Sequence, residues 1–355
     1  MTLRVNSLLK DKETMPISKE IFEEYGKQGV FKQAVSETLG GLGTTYADLH
    51  ETYRNLGKAT CNPSLLLSFQ AHVWGGIFPL MKFGTLEQQQ KYLPSLLKGK
   101  IVAGHAITEV NSGSDIYGIL GTVREHGNGF LLNGVKRYIT NVSIADFILV
   151  YLKDGEFLSG FLLHRDDAGC DFVGGSPMSC FSTSPMGEIR LNECFIPADR
   201  LLGQRHAGGQ MIQASLELER SFIFSGIVGV MDEQITLVKN YAKKRLIRDL
   251  PLSSHQVIQH RVVEMYFRLQ ILDSLIREAA HLKDQGKRIT IQSALIKTFG
   301  SQAFLDNSNE AVHILGALGL QDGRLASLVH DALGTRILGG TVEIQKNIVA
   351  SLIGI

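Results

Sequence analysis

The spacing of apolar residues changes twice along this chain. Between residues 17 and 99, apolar side chains recur every three or four positions, which is typical of amphipathic helices. Residues 104–197 instead carry the turn signals Asn128-Gly129 and Asn133-Gly134 between short β-rich runs. After Gly208 the helical spacing returns and persists to the end. The order of helices, strands and helices predicts an α+β fold.

We expect three domains, with boundaries near residues 103 and 203. Residues 1–103 form an N-terminal helical domain, residues 104–203 a barrel-like domain of antiparallel strands, and residues 204–355 a helical bundle. The clearest predicted strands are Tyr138 to Thr140, Phe147 to Leu152, Phe157 to Leu163 and Glu188 to Ile196, and the clearest C-terminal helices are Met211 to Arg245, His255 to Gln285, Thr290 to Leu315 and Thr341 to Ile353.

Charge and hydropathy exclude several classes of partner. The 355 residues contain 36 Lys plus Arg against 35 Asp plus Glu, so no excess of positive charge is available to bind nucleic acid. No apolar run approaches the roughly 20 residues of a membrane span, and the start, Met1 to Lys19, is polar rather than a signal segment. The sequence predicts a cytoplasmic protein with no nucleic-acid or membrane partner.

The four cysteines carry no metal or disulfide signature. They show neither CxxC spacing nor the density of a disulfide framework, so we expect them to act as small hydrophobic residues. They are Cys61, Cys170, Cys180 and Cys194.

The helix after Gly209 places a carboxylate on its apolar stripe. Glu219 lies three residues from both Leu216 and Phe222, whereas Glu217 projects about 200° away and is expected to be solvated. A buried carboxyl group resists ionisation, which suits it to accept a proton near neutral pH. The alternative is a structural ion pair with Arg220, Arg205 or another cation. From spacing alone both interpretations stay open.

Three further segments could contact a ligand, although each has an ordinary structural interpretation. The loop Thr108 to Asp115 is rich in small and hydroxyl residues, which allow close backbone approach but also simply form turns. Tyr138 and Thr140 share one strand face and could support a flat ring or form a surface pair. Thr341 is expected to cap a helix whose N-terminal amides are free to meet a ligand, but such caps are common.

Taken in order, these segments resemble the acyl-CoA dehydrogenase family from about Asn62 to Ser351. The resemblance implies an N-terminal helical domain, a middle β domain, a C-terminal four-helix bundle and the cofactor FAD. The motifs that carry it are Gly84-Thr85 with Glu87-Gln88-Gln89, Lys91-Tyr92-Leu93-Pro94 and Gly99; Thr108-Glu109 with Gly113-Ser114-Asp115; Tyr138-Ile139-Thr140-Asn141; and Gly340-Thr341 with Glu343-Ile344-Gln345.

The resemblance also implies which residues hold FAD and substrate. The flavin and pyrophosphate would contact His105, Ile107, Thr108, Gly113, Ser114, Tyr138, Ile139 and Thr140, with Thr341 and Glu343 closing over them. A neighbouring subunit's FAD would contact Arg245, His255, Gln256, Leu315, Gly316 and Gly319. The acyl thioester would lie near Ser114, Ser184, Glu217, Leu218, Arg220, Gly339 and Gly340.

The implied reaction removes the α-proton of an acyl thioester with a carboxylate and passes a hydride from Cβ to flavin N5. Most members carry that carboxylate as the Glu of an EGT motif, where this chain has Gly339. A minority, of the isovaleryl-CoA and long-chain type, carry it in a helical LxLER segment. Because Leu216 to Arg220 reads LELER, Glu219 is the expected base. His105 replaces a common aromatic residue, and cofactor contact is expected of it rather than catalysis.

Several alternatives stay open from the sequence. The thioester could be carried on CoA or on an acyl carrier protein, since both present the same pantetheine arm. The electron acceptor could be an electron-transfer flavoprotein or oxygen, and the assembly a homodimer or homotetramer. The competing functions are that of a flavin monooxygenase or oxidase on the same fold and that of a catalytically silent family member.

Overall fold

The computed structural model describes residues 16–175, 178–321 and 323–355. In its N-terminal region, capping side chains fix the helices. Thr45 and Asp48 form a reciprocal capping box at the start of the second helix, and Thr85 with Gln88 repeats it at the fifth. The helices are α1 Lys19–Lys27, α2 Tyr46–Thr60, α3 Pro63–His72, α4 Phe78–Phe83 and α5 Leu86–Leu96.

A π-helical turn, Val73–Ile77, joins α3 to α4. It contains two glycines that face the first strand of the β region. A Cβ on Gly75 would lie 2.9 Å from the ring of His105, and one on Gly76 would lie 2.6 Å from Cβ of Ala103. The glycine pair therefore lets the strand approach the helix closely and fixes the place of the His105 ring.

The β region forms one eight-stranded sheet with the order β6-β7-β3-β2-β4-β5-β8, and β1 pairs with β4. The predicted strands Phe147 to Leu152, Phe157 to Leu163 and Glu188 to Ile196 are confirmed within β4, β5 and β7, whereas the strand predicted for Tyr138 to Thr140 is confirmed only to Ile139, where β3 ends. The expectation of purely antiparallel pairing is wrong, because β1 runs parallel to β4. The strands are β1 Ala103–Ala106, β2 Thr122–His126, β3 Gly129–Ile139, β4 Phe147–Asp154, β5 Phe157–His164, β6 Cys170–Gly174, β7 Gly187–Pro197 and β8 Leu201–Leu202.

The C-terminal region is a helical bundle built around its first helix, α6. This helix has 37 residues and is about 55 Å long, and buried residues occur all round it because α2, α7 and α8 pack against it. The predicted succession of helical, β and helical regions is thus confirmed. The remaining elements are α6 Gly208–Lys244, β9 Leu246–Ile247, β10 Leu250–Pro251, α7 Gln256–Asp284, α8 Thr290–Leu315, α9 Ala317–Gln321, α10 Gly323–Thr335 and α11 Val342–Ile353.

Two helical stretches qualify as membrane spans by length and composition, contrary to the expectation that none would. They are Pro63–Phe83 and Gly208–Lys244, and 94% and 72% of their apolar windows are buried inside the protein. Burial of this extent is typical of core helices. The polar start used to exclude a signal segment lies mostly outside the described residues.

Candidate active site

Glu219 of α6 points inward, as its spacing predicts. The residue is 9% exposed, and among the residues that the structure describes its Oε2 atom has no hydrogen-bond partner. The imidazole of His105 on β1 faces this carboxylate, and its Nε2 lies 3.4 Å from Oε2. Arg205, one cation considered as a structural partner, instead binds Asp154, with Nε donating to Oδ2 at 2.7 Å. Glu219 is therefore a buried carboxylate with a free oxygen.

A pocket with about 360 Å³ of empty space, part of it open to solvent, lies beside Glu219. Its walls come from α3, the loop before β7, α6, α8, the end of α10 and the segment that follows. The lining combines apolar side chains with three charged ones. The apolar lining side chains are Leu67, Phe181, Ile223, Phe224 and Leu338, and the polar ones are Glu219, Arg220, Lys297 and Thr335, with Gly339 completing the wall.

Arg220 anchors the loop that precedes α11. Its Nε donates to the carbonyl oxygen of Gly339 at 2.6 Å. Gly339 and Gly340 have φ angles of 67° and 93°, which disfavour other residues, and a Cβ on Gly340 would lie 3.1 Å from Nη2 of Arg220. The pocket thus brings together Glu219, Arg220 and Gly339, as the sequence predicts.

Sequence reasoning missed Lys297 of α8. Its ammonium is fully buried and donates to the carbonyl oxygens of Thr335 and Leu338, the latter at 2.5 Å. Burial, followed by the repulsion of Arg220, lowers the pKa of Lys297 to about 7. The sequence did contain a signal for it, since Lys297 is the one Lys or Arg in the predicted helix Thr290 to Leu315.

Glu217 is not solvated, and this expectation was wrong. Its side chain is 17% exposed, accepts a hydrogen bond from Thr290 Oγ1 at 2.6 Å and lies 3.7 Å from Lys283 Nζ. The turn between α7 and α8 packs against that face of α6 and covers it. Leu218 is buried in the hydrophobic core, whereas Ser184 Oγ lies 3.1 Å from Ser68 Oγ. Their assignment to substrate stays a prediction.

A buried ion pair positions the loop after β1. Lys136 Nζ lies 2.7 Å from Glu109 Oε1 and donates to the carbonyl oxygen of Ile107 at 3.1 Å. Glu109 also accepts from the backbone amides of Leu120 and Gly121, at 2.6 and 3.0 Å. These bonds hold the predicted cofactor loop against β3, which carries Tyr138-Ile139 and leads into Thr140.

The surface formed there can receive a flat ring. Tyr138 is 48% exposed at φ 58°, and Ser114 is exposed. A Cβ on Gly113 would meet no atom within 4 Å, so the space beside this loop is open. Ile139 is buried beneath. The exposed Ser114 hydroxyl, the open space at Gly113 and the exposed Tyr138 ring are features that a bound flavin could contact.

The start of α11 has the predicted cap. Thr341 Oγ1 accepts a hydrogen bond from the amide of Ile344 at 3.3 Å, and Glu343 is exposed in the first turn. This helix follows the loop that Arg220 anchors. The amides of its first turn are therefore oriented by the same residues that line the pocket.

The other predicted cofactor residues lie at the far end of the bundle. Arg245 follows α6, its carbonyl accepts from the amide of Leu252, and Tyr241 Oη donates to the carbonyl of Leu315 at 3.4 Å. Twenty-six residues separate Glu219 from Arg245, about 39 Å along a helix at 1.5 Å per residue. One chain therefore does not bring the two groups together. The group consists of Arg245, His255, Gln256, Leu315, Gly316 and Gly319.

Metal ligation is not supported by the described part of the chain. In residues 16–175, 178–321 and 323–355, no group of three or more His, Cys, Asp or Glu side chains could hold a metal ion.

Comparison with known proteins identifies relatives over nearly the full length. A prolyl acyl carrier protein oxidase, AnaB, superposes with a TM-score of 0.93 at 28% identity, covering 99% of this chain and 94% of that one. The FAD complex of PigA gives 0.92 at 29%, covering 98% and 92%.

Curated sequences give the same result. An L-prolyl peptidyl-carrier-protein dehydrogenase of Serratia sp. (strain ATCC 39006) is 31% identical over 346 residues, 96% of this chain and 89% of the relative. The mitochondrial short-chain specific acyl-CoA dehydrogenase of Homo sapiens is 28% identical over 356 residues, 96% and 86%.

Three family models cover almost the whole sequence. The N-terminal, middle and C-terminal domain models of acyl-CoA dehydrogenase match residues 4–100, 104–194 and 206–353. The chain belongs to the acyl-CoA dehydrogenase family of FAD-dependent enzymes.

Proposed function

We propose that Glu219 is the base with which this FAD-dependent acyl-thioester dehydrogenase removes the substrate's α-proton. The observation that carries the proposal is a buried carboxylate with an unpaired oxygen at the pocket wall, on a chain that has Gly339 in the family's usual base position. A positioned general base contributes about 10²–10⁴-fold to rate. Bound FAD supplies the acceptor for the hydride that leaves Cβ.

The chain's own residues prepare the site for proton removal. The apolar side chains of the pocket wall reduce the solvation of this largely buried carboxylate. Arg220 fixes the Gly339 carbonyl and thereby orients the loop beside the acyl group. Holding the α-carbon against Glu219 converts the proton transfer into an intramolecular step.

We further propose a short acyl group on a carrier protein as the substrate. The relative of Serratia acts by name on a prolyl group carried by a peptidyl-carrier protein, and AnaB is a prolyl acyl carrier protein oxidase. A CoA thioester is the alternative, since the human relative is an acyl-CoA dehydrogenase.

Assembly, acceptor and location complete the proposal. We propose a homo-oligomer, because the exposed face of α7 carries large apolar side chains, among them Tyr266, Phe267 and Ile271. We also propose that the protein is located in the cytoplasm. The acceptor is an electron-transfer flavoprotein or oxygen. Oxygen consumption during turnover distinguishes the two.

The base is tested by mixing FAD-loaded enzyme anaerobically with short acyl thioesters on CoA and on carrier proteins. The native protein should lose its yellow colour with at least one thioester. Glu219→Gln should retain FAD but bleach about 10³-fold more slowly. Glu217→Gln, which removes a charge two residues away, is the matched control and should bleach at the native rate. Unchanged bleaching by Glu219→Gln would place the base elsewhere.

A further inference from the structure

His105 faces the carboxylate of Glu219 across the interface between the β region and the bundle. Its side chain is 13% exposed, and Nε2 lies 3.4 Å from Glu219 Oε2. Within the described residues, Oε2 of Glu219 has no hydrogen-bond partner, so its contact with Nε2 lacks hydrogen-bond geometry, and Nδ1 of His105 also has none. A carboxylate oxygen and an imidazole nitrogen thus face each other in one buried space without a hydrogen bond.

The backbone fixes the imidazole in this place. Residue 105 pairs with Leu149 in the parallel β1–β4 ladder, and the ring packs on Gly75 of the π-helical turn. The ring therefore cannot turn far from Glu219. A π-turn in a helix is often found at a functional site.

Cationic side chains lie near Glu219. Arg220 follows it on α6, Lys297 of α8 lines the same pocket, and Arg336 lies near Lys297. His72 of α3 accepts from the Ala103 amide, and burial lowers its pKa to about 4, so it stays neutral. A protonated Arg or Lys cannot accept a proton, whereas a neutral imidazole nitrogen such as His105 Nε2 can.

We propose that His105 receives the proton that Glu219 removes from the substrate. The Oε2–H bond of Glu219 breaks and an Nε2–H bond forms on His105, so Glu219 returns to carboxylate and the ring becomes imidazolium. The proposal rests on Glu219 being the base. His105 touches no substrate atom in this scheme and acts through Glu219 as a positioning and proton-accepting partner.

The test is the pH profile of anaerobic bleaching by the FAD-loaded enzyme between about pH 5.5 and 9. The native rate should rise with pH, because only a neutral imidazole can accept a proton. His105→Phe should lack this rise and bleach about tenfold more slowly near pH 8, with an unchanged half-saturating thioester concentration. Coincident native and His105→Phe profiles would overturn the proposal.

A second variant separates proton transfer from hydrogen bonding. In His105→Gln the amide oxygen can accept a hydrogen bond from protonated Glu219 but cannot take its proton. We expect the same slow, flat profile as in His105→Phe. Native behaviour of His105→Gln would reduce the role of His105 to a hydrogen bond and contradict the relay.

A spectroscopic measurement tests the pair without turnover. With ¹³C-labelled imidazoles, the His105 signal, assigned by its loss in His105→Phe, should shift in Glu219→Gln because the facing charge is removed. An unshifted signal would show that the two groups are not coupled. If no thioester bleaches the native enzyme, the proposed function fails; if bleaching occurs with unchanged profiles, only the relay fails.

Discussion

Lys297 is a buried cation beneath the loop that leads to α11. Burial and Arg220 lower the pKa of Lys297 to about 7, whereas lysines in the unfolded chain have a pKa of about 10.4. As the pH rises, the folded protein therefore loses this proton at a lower pH than the unfolded chain does. Between these values the unfolded state binds more protons, so the free energy of unfolding rises with pH. Below about pH 7 both states are charged and the penalty is constant.

Lys297→Met should remove this dependence. We expect the free energy of unfolding of the native protein, minus that of the variant, to rise by up to about 1.4 kcal/mol per pH unit between about pH 7.5 and 9.5. Urea titration of FAD-loaded proteins at equal concentration measures it. Lys27→Met, at an exposed lysine of α1, is the control and should give a flat difference. A flat difference for Lys297→Met would show that this residue keeps its proton.

Residue spacing predicted Glu219 but not its partner. The carboxylate sits on a helical stripe, and helical geometry alone directs it inward. His105 meets it from β1, more than one hundred residues earlier in the chain, through the glycines of a π-turn that no local pattern marks. Long-range contacts of this kind depend on how elements pack, which a single sequence does not specify.

The same distinction holds for elements. The long helices and the strands with apolar runs were predicted because their periodicity extends over many residues. β1 reads Ala-Gly-His-Ala and lacks β-branched residues, so its strand state depends on pairing with β4. Helix α10, Gly323–Thr335, lies in the stretch of continuing helical spacing but was not singled out as a separate helix.

A buried polar network joins α2, α6 and α7. His50 Nδ1 lies 2.9 Å from Ser225 Oγ and Nε2 lies 3.1 Å from Asp273 Oδ1, while Arg277 Nε donates to Asp273 Oδ2 at 2.8 Å. The residue types match a nucleophilic triad, but His50 and Ser225 are fully buried. The network therefore stabilises the packing of the helices.

Removing the shared carboxylate should destabilise this packing. Burial raises the pKa of Asp273, but hydrogen bonds from His50 and Arg277 outweigh it and hold the pKa well below its usual range. This stabilisation is present above about pH 4 and is lost as the pH falls through the folded pKa. We expect Asp273→Ala to lose about 3 kcal/mol and about 5 °C in Tm at pH 7, measured by thermal unfolding.

The control for this variant is Glu23→Ala, which removes an exposed ion pair with Lys27. Such pairs contribute little, so its unfolding free energy should change by less than about 1 kcal/mol. Equal Tm values for Asp273→Ala and Glu23→Ala would show that the network does not stabilise the bundle.

At the scale of the whole molecule, the length of α6 separates two groups of predicted cofactor residues. Glu219 and Arg245 are about 39 Å apart along this helix. A flavin ring bound beside Glu219 therefore cannot also contact Arg245 of the same chain. In the proposed homo-oligomer, a second copy that presents the Arg245 end of its bundle would resolve the separation. The exposed apolar face of α7 provides a surface through which two copies can associate.

Mixed oligomers test this arrangement. We expect Glu219→Gln and Arg245→Ala each to bleach poorly alone, the first for lack of a base and the second for weak FAD binding. Refolded together, they should regain up to about a quarter of the native activity. Half of the subunit pairs are mixed, and in each mixed pair one of the two sites joins an intact Glu219 to an intact Arg245 from the other chain. Activity of the mixture equal to the average of the two variants would place both residues at one intrachain site, which the length of α6 opposes.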